Sequence, residues 1–466
     1  MSSVPAKDRV SLGNVIAFGA PGLGAGYMYL LLAIYVMKFA TDVLLIAPAT
    51  MGTIIAASRV WDAISDPLAG YYSDRTGFAF GRRRTWILAS TIPVAGMFIM
   101  VFSPPPELTG FELITWMTVA VIGFYSAMTL FFVPHLSLGA ELSDNYHERS
   151  RLFGIRHGFY AFGSILSLIS MQMMIEAEGV GEAEVRRVAI ELSWLAAGVM
   201  IILTIAAVAK LRERVEFSGR VNRSPFGAFR DVWGNHHARL LIIVTFIERI
   251  GEAAIAVLTL YVAQYVVGAP ALAPFIILAY FVPSTISVPM WIPLSRRFGK
   301  VKVWIFSMSL TGISFGGMFL LAFIENYDDR VLLMFVLAFF AGIAAGAGGT
   351  IAPSIQGDVI DYDEYKTGER KEGSYFAAWN FVYKAALGVM IMLTGYILEF
   401  TGYVPNAEQT MTVKVSMVTL YGLLPLLCNI VGVWLMRGFK LDEAEYAKIR
   451  AELDKRKRDL PGASAV

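Results

Sequence analysis

The chain has 466 residues, of which 56% are hydrophobic and only 16% are charged. This balance excludes a soluble protein with a polar surface and predicts a membrane protein that crosses the bilayer many times. The net charge of +2 is spread among loops, so no nucleic-acid partner is expected. The one cysteine, Cys428, excludes a disulfide framework, and a structural zinc site is not expected.

Apolar stretches long enough to cross a bilayer occur twelve times along the chain, in two sets of six. We therefore expect an all-α membrane protein with a six-helix bundle over residues 1–210, a linker over 211–238, a second six-helix bundle over 239–438 and a tail over 439–466. Similar charged loops follow stretches 2 and 8 and stretches 4 and 10, at a separation of about 220 residues. Such repeated halves are typical of secondary transporters. The stretches lie near residues 13–40, 47–73, 84–103, 110–142, 152–176, 188–210, 239–266, 271–294, 303–324, 331–356, 374–400 and 412–438.

The short loops carry positive charges in alternation. Lys and Arg residues follow stretches 2, 4, 8 and 10, whereas the loops at residues 104–110, 268–274 and 401–410 contain none. Arg186 and Arg187, after stretch 5, are the one exception. Because positively charged loops stay in the cytoplasm, we expect both termini to be cytoplasmic.

Two acids lie in the middle of the second stretch. Asp62 and Asp66 are four residues apart, so on a helix they share one face. Asp62 lies roughly 15–22 Å from either end of the stretch, near the bilayer midplane. A carboxylate at that depth costs about 2.5–3.5 kcal/mol, which favours a site for a cation or a proton. A structural pair neutralised by a nearby Arg or Lys is the alternative.

Charged residues also follow equivalent stretches in the two halves. Arg149 and Arg151 follow stretch 4, and the acids Asp358, Asp361 and Glu364 follow stretch 10. We expect these residues to form gating ion pairs between the halves. Each exposed pair contributes only ~0.2–1 kcal/mol, but several together can shift a conformational equilibrium of similar size.

The loop after stretch 2 carries a recognisable pattern. Gly70–Arg75, followed by Gly81–Arg84, is similar to the loop signature of the major facilitator superfamily. More narrowly, Arg59–Gly70 (R-V-W-D-A-I-S-D-P-L-A-G) resembles span 2 of the glycoside–pentoside–hexuronide cation symporters, the melibiose permease family. Asp361–Lys366 and Glu148–Leu152 fit the same family. The resemblance implies a major facilitator fold of twelve transmembrane helices.

This resemblance also implies roles for three residues. In that family the two acids of span 2 coordinate the coupling cation, and they match Asp62 and Asp66. A lysine of span 11 beside them matches Lys384, which lies ~15 Å into stretch 11, level with Asp62. Lys384 would neutralise one carboxylate until the cation, sodium or a proton, competes for the same oxygens.

The chain departs from the family pattern where the family binds sugar. Gly24 and Phe132 stand in place of the carboxylates of spans 1 and 4, and would suit an acyl chain. Stretch 7 instead carries Glu248, Arg249 and Glu252, ~14–20 Å inside the membrane. We expect Glu248 and Glu252 either to bind solute or a proton, or to pair internally with Arg249.

Three further residues complete the candidate solute site. Arg156 lies near the span 5 arginine that contacts substrate in the family, and a contact to a helix carbonyl is the alternative. Trp379 and Asn380 lie near Lys384 in stretch 11. A tryptophan there either stacks on a sugar ring or packs in the core.

These patterns predict a secondary active transporter, and not an enzyme, that couples sodium or proton movement to uptake of a small organic solute by alternating access. The resemblance implies a glycoside or an acidic sugar. The alternative is an amphipathic lipid such as a lysophospholipid, which a vertebrate branch of the family carries. An alternative from a different functional class is a membrane enzyme or a sensor built on a transporter fold. The sequence contains no metal cluster or nucleophile elbow that would favour an enzyme, and no extra soluble domain that would favour a sensor. We expect no cofactor, a monomer, and a place in a bacterial inner membrane.

Overall fold

The computed structural model describes residues 10–76, 80–143, 146–213, 232–368, 372–439, 441 and 443–459. Every regular element in these ranges is a helix. Helices suit a bilayer, because backbone N–H and C=O groups find no water there and must bond to one another. The α-helices are α1 (Leu12–Gly19), α2 (Pro21–Lys38), α3 (Pro48–Arg75), α4 (Arg82–Phe102), α5 (Gly110–Glu141), α6 (Tyr146–Glu178), α7 (Glu182–Lys210), α8 (His236–Tyr261), α9 (Ala273–Ile286), α10 (Val288–Phe298), α11 (Lys300–Met318), α12 (Tyr327–Thr367), α13 (Glu372–Phe400), α14 (Met411–Val418), α15 (Leu424–Met436) and α16 (Glu443–Asp459).

Nine helical runs among the described residues are long and apolar enough to cross a membrane. A tenth results if α9 and α10 are counted together across the 49° bend between them. That bend has a local cause, because Pro289 has no N–H for the Thr285 carbonyl and its ring crowds that carbonyl. The helices α3 and α8, of 28 and 26 residues, are not among the nine. Both carry the predicted intramembrane charges, which reduce their apolar character.

The helix α12 is longer than the stretch predicted for it. Asn326 starts it, since its side chain accepts hydrogen bonds from the Asp328 and Asp329 N–H groups. Gly368 ends it at a φ of 73°, a left-handed conformation that favours glycine. The acids predicted in a loop after stretch 10 therefore lie on the last turns of a continuous helix.

By their internal contacts, the residues fall into two compact units. The first unit is Met1–Pro225 with Ile391–Ala407, and the second is Phe226–Met390 with Glu408–Val466. The last turns of α13 thus belong to the first unit, although α13 begins in the second.

A buried acid attaches Ile391–Ala407 within the first unit. Asp42 lies in the π-helical turn Phe39–Val43 that follows α2. Its Oδ1 accepts a hydrogen bond from the Tyr403 hydroxyl at 2.5 Å, and its carbonyl oxygen accepts one from Asn406 at 2.7 Å. Lys38, one turn earlier, lies 3.5 Å from Asp42 Oδ2.

Glycines let α2 and α6 cross at short distance in the first unit. A Cβ on Gly26 would come within 2.1 Å of the Tyr160 carbonyl oxygen, and one on Gly163 within 1.9 Å of the Leu23 carbonyl oxygen. Small residues permit such close approach, from which helices in a bilayer gain their packing energy. This crossing holds α6, which carries Arg156, against α2.

In the second unit, buried apolar side chains from many helices form one core. Trp291, Trp304 and Trp379 belong to it, and so do Ile449 and Leu453 of α16. Residues of the predicted tail therefore pack as part of the second unit.

Candidate functional site

The two acids of α3 lie against a threonine of α5 in the first unit. Thr129 Oγ1 lies 2.8 Å from Asp66 Oδ1 and 3.2 Å from Asp62 Oδ1. One hydroxyl carries one proton, so Thr129 donates to one carboxylate at a time. Asp62 is only 2% exposed. Side-chain oxygens from two helices thus lie together, and oxygen is the ligand type that hard cations prefer.

Arg59, which was not among the predicted site residues, forms an ion pair with Asp62. Its Nη1 lies 3.6 Å from Asp62 Oδ2, and the residue is 1% exposed. The same Nη1 donates to the Tyr29 hydroxyl at 3.2 Å, and the guanidinium carbon lies 3.5 Å from the centre of the Tyr125 ring. Arg59 therefore neutralises the charge of Asp62, as the alternative expectation from the sequence had it. The sequence could have indicated this pair, because Arg59 and Asp62 are three residues apart and such residues are neighbours on a helix.

The predicted residues of α13 have different surroundings. Trp379 is 5% exposed, and its ring lies 5.7 Å from that of Tyr375 and 5.9 Å from that of Phe376. It is a core residue of the second unit, as one of the two expectations had it, and its role in solute binding stays a prediction. Asn380 is exposed and Lys384 is half-buried. The competition of Lys384 with a cation stays a prediction.

Arg156 of α6 lies beside Phe132 of α5 in the first unit. Its guanidinium carbon is 5.6 Å from the centre of the Phe132 ring, and the Tyr29 ring lies edge-on to Phe132 at 6.3 Å. Arg156 Nε is buried and has no hydrogen-bond partner among the described residues. The expected alternative, a contact to a helix carbonyl, is therefore not made by this atom.

Gly24 does not form the apolar lining that the sequence suggested. A Cβ there would lie 2.9 Å from Met200 Sδ and 3.1 Å from Met200 Cα on α7. Gly24 is buried between α2 and α7, and a side chain of any size at this position would require the helices to separate. It is a packing position.

The charges of α8 have two kinds of partner in the second unit. Arg249 forms an ion pair with Glu252 one turn later, and its guanidinium carbon lies 5.4 Å from the Tyr383 ring centre. Trp304 Nε1 lies 3.5 Å from Glu248 Oε1, at the outer limit for a hydrogen bond. Internal pairing, one of the two expectations, is thus present for Glu252. The roles of Glu248 and Glu252 in solute binding stay predictions.

The predicted gating residues that the structure describes have partners in their own halves. Arg151 Nη1 lies 3.1 Å from Glu148 Oε2, and Lys300 Nζ lies 2.7 Å from Asp358 Oδ2. Glu364 is half-buried near the end of α12. The side chain of Arg149 lies outside the described part of the chain. The ion pairs between the halves therefore remain a prediction.

The C-terminal helix supplies two partners of Asp361. The Tyr446 hydroxyl donates to Asp361 Oδ2 at 2.8 Å, and Arg450 Nη1 lies 3.4 Å from the same oxygen. Burial, followed by the hydrogen bond to the Asp361 carboxylate, raises the pKa of Tyr446 above its usual range. The hydroxyl therefore stays protonated and continues to donate near neutral pH.

Within the described residues, no group of three or more His, Cys, Asp or Glu side chains could hold a metal ion.

Comparisons with known proteins agree with this architecture. A family model described as MFS/sugar transport protein matches residues 17–443. The inward-open structure of the xylose transporter XylE from E. coli has a TM-score of 0.61 at 15% identity, with 94% of this chain and 98% of that chain covered. At this identity the likeness concerns the fold alone.

Curated relatives match over nearly the whole chain. The isoprimeverose transporter of Lactiplantibacillus pentosus is 25% identical, with 98% of this chain and 94% of the relative covered. The glucuronide carrier protein homolog of Escherichia coli (strain K12) is 22% identical, with 97% of each covered. The sodium-dependent lysophosphatidylcholine symporter 1 of Gallus gallus is 23% identical, with 97% of this chain and 90% of the relative covered.

Proposed function

We propose a function for this chain, which belongs to the MFS/sugar transport family and is a multi-pass membrane transporter and not an enzyme. In this proposal, the protein couples a sodium ion or a proton to the uptake of a small organic solute by alternating access. Asp62 and Asp66 would bind the coupling cation. Lys384 would compete with that cation for the carboxylates. We further propose twelve spans, cytoplasmic termini and a bacterial inner membrane as its location.

The cluster of Arg59, Asp62, Asp66 and Thr129 carries this proposal. Its three charged side chains bring two negative charges and one positive charge together, and Thr129 adds a hydroxyl between the acids. A monovalent cation or a proton fits that balance, since an intramembrane carboxylate is stabilised by either. Sodium would take oxygen ligands, which Thr129 and the acids supply.

The proposed solute is a glycoside or an acidic sugar, as two of the relatives are named for sugars or sugar acids. A lysophospholipid is the second candidate, because a further relative is named for one. Phe132 supports either solute, since an aromatic ring packs on a sugar face or an acyl chain.

In the second unit, Glu248→Gln and Glu252→Gln should weaken binding of a polyol by ~1–3 kcal/mol and hardly affect a lysolipid, in isothermal titration.

The test of cation coupling uses Asp62→Asn and Asp66→Asn beside the unaltered protein. In detergent, sodium chloride or a lowered pH should raise the unfolding temperature of the unaltered protein, with choline chloride as the control salt. In proteoliposomes, an inward gradient of the same cation should drive uptake of methyl β-D-glucuronide or lysophosphatidylcholine. We expect both responses to be lost in each variant, with near-normal expression of Asp66→Asn and reduced expression of Asp62→Asn, which removes the ion-pair partner of Arg59. Cation-stimulated uptake by both variants would contradict the proposal.

A further inference from the structure

The residues Ile391–Ala407, which we call the anchored segment, come from the second half of the chain but belong to the first unit. The segment includes the last turns of α13 and part of the loop that follows. Its Tyr403 hydroxyl donates to Asp42 Oδ1 at 2.5 Å, and its Asn406 amide donates to the Asp42 carbonyl oxygen at 2.7 Å. Two side chains of the segment thus meet one buried acid, in the π-helical turn after α2.

Asp42 also belongs to a buried polar network that lies at the ends of α2 and α6. Lys38 Nζ lies 2.6 Å from Glu178 Oε1 and 3.5 Å from Asp42 Oδ2, so one ammonium group lies between two carboxylates. The Tyr35 hydroxyl donates to the same oxygen of Glu178 at 3.2 Å. Lys38 and Asp42 are only 1% and 2% exposed. Carboxylates buried this deeply depend on donors, and the network and the anchored segment both supply them to Asp42.

We propose that this network is a latch in the transport cycle, in which Tyr403 and Asn406 leave Asp42 and Lys38 moves from Glu178 to Asp42 in their place. The inference rests on the proposed transport by alternating access and adds the residues that control one of its steps. Alternating access requires residues of the two halves of the chain to separate on one side of the membrane at a time. The anchored segment is a piece of the second half that such a separation has to release.

The position of the segment in the chain indicates the side on which the latch acts. The segment ends within the loop at residues 401–410, which contains no Lys or Arg. Loops without basic residues are expected outside the cytoplasm. Release of the segment is therefore the step that opens the carrier to the outside, and its return to Asp42 accompanies closure on that side.

The position of Lys38 lowers the cost of release. A buried carboxylate that loses a donor without a replacement is strongly destabilised. The Lys38 ammonium group is already 3.5 Å from Asp42, so a small movement brings it into the place of the Tyr403 hydroxyl. Glu178 keeps the Tyr35 hydroxyl, and its side chain is 17% exposed, so water can solvate it. Both arrangements leave each carboxylate with a donor, as a switch between two packed states needs.

The test follows the anchored segment with a cysteine reporter and needs no solute. Thr394 lies on the segment and is fully buried, and Thr394→Cys together with Cys428→Ser places a single thiol there. A membrane-impermeant maleimide added to intact cells should label this reporter protein slowly. Tyr403→Phe, added to the reporter, removes a hydrogen bond to a carboxylate and should raise the labelling rate at least about 10-fold. Asn406→Gly should raise it too, and glycine suits the left-handed backbone of that residue, whose φ is 56°.

Glu178→Gln distinguishes a switch from a simple attachment of the segment. The hydrogen bonds of Glu178 within the described structure come from Lys38 and Tyr35, and not from the anchored segment. Loss of the Glu178 charge makes Lys38 available to Asp42, which then depends less on Tyr403. We therefore expect labelling about 10-fold faster, although no residue of the segment that contacts Asp42 is altered.

A second tyrosine of the segment provides the matched control. Tyr396 is exposed, and its hydroxyl lies 3.5 Å from Thr53 Oγ1, at the outer limit for a hydrogen bond. Tyr396→Phe therefore removes a hydroxyl from the same segment without touching the network. This variant should be labelled at the rate of the reporter protein.

Three results would each overturn the inference. They are labelling of Tyr403→Phe at the rate of the reporter protein, labelling of Glu178→Gln at that rate, and an equal rise in Tyr396→Phe. Where Tyr403→Phe fails to fold, Asn406→Gly takes its place, since Asn406 is exposed. Failure of the proposed function has another signature, because cation-driven uptake would then survive in both acid variants of α3 while the labelling rates are unaffected.

Discussion

Arg59 makes the two acids of α3 chemically different. It pairs with Asp62 at 3.6 Å and is itself enclosed by Tyr29 and Tyr125. Removing one partner of such a buried pair leaves an uncompensated charge and is strongly destabilising. We infer that Asp62 is held in place by Arg59, whereas Asp66 contacts the Thr129 hydroxyl at 2.8 Å. The two carboxylates share one helix face but not one environment.

The shared hydroxyl gives a prediction at the level of one residue. Thr129→Val keeps the shape of the side chain and removes its oxygen, so we expect the affinity for the coupling cation to fall about 10-fold, or ~1.4 kcal/mol. Thr129→Ser should bind nearly as well as the unaltered protein. Cation titration followed by thermal unfolding measures both.

A second threonine on α5 serves as the control. Thr118 donates to the Ile114 carbonyl oxygen of its own helix, so Thr118→Val should leave cation affinity unchanged. If Thr129→Val binds the cation as tightly as Thr118→Val does, the hydroxyl is not a ligand.

At the scale of helices, the crossing of α2 and α6 positions Arg156. The crossing depends on glycines whose neighbours across the contact are backbone atoms, which cannot rotate away as a side chain can. Gly19, the last residue of α1, also packs on α6, since a Cβ there would lie 3.3 Å from Arg156 Cα. The backbone of Arg156 is therefore held by close packing against α1 and α2.

Two glycines of α6 give a matched pair of substitutions. Gly163→Ala places a methyl group against the Leu23 carbonyl oxygen, and we expect a loss of ~1–3 kcal/mol in the free energy of unfolding. Gly158→Ala meets nothing within 4 Å and should be neutral or stabilising by up to ~1 kcal/mol, as alanine favours helix. Thermal unfolding in detergent measures both variants. Equal stability of the two would show that the close crossing is not required.

For the whole molecule, the alternation of basic loops leads to a prediction about orientation. We expect twelve spans and cytoplasmic termini. Green fluorescent protein fused after residue 466 should therefore fluoresce, because this reporter folds in the cytoplasm but not after export through the secretion machinery. Alkaline phosphatase fused at the same point should be inactive, and fused within the basic-free loop at residues 104–110 it should be active. The reverse activities would place the termini on the other side.

Apolar stretches predicted a helical membrane protein, the motifs after and within stretch 2 predicted the family, and spacing placed the two acids on one face of α3. These features depend on local composition and spacing, because a span needs only length and apolar character, and residues four apart on a helix share a face. The same logic also located Arg156, Glu248 and Glu252. Spacing alone could not identify the partner of each charge.

Partners were decided by packing between segments distant in the chain. Thr129 meets Asp66 across 63 residues, and Tyr403 meets Asp42 across 361. Trp379 became a core residue because the side of α13 that carries it faces other apolar helices, and Gly24 became a packing position because α7 lies against it. Burial and pairing depend on which helices are neighbours, and no local pattern specifies that choice. The sequence by itself therefore determined where charges lie along the helices, and only the tertiary structure decided which of them are paired with one another, because pairing depends on which helices are neighbours.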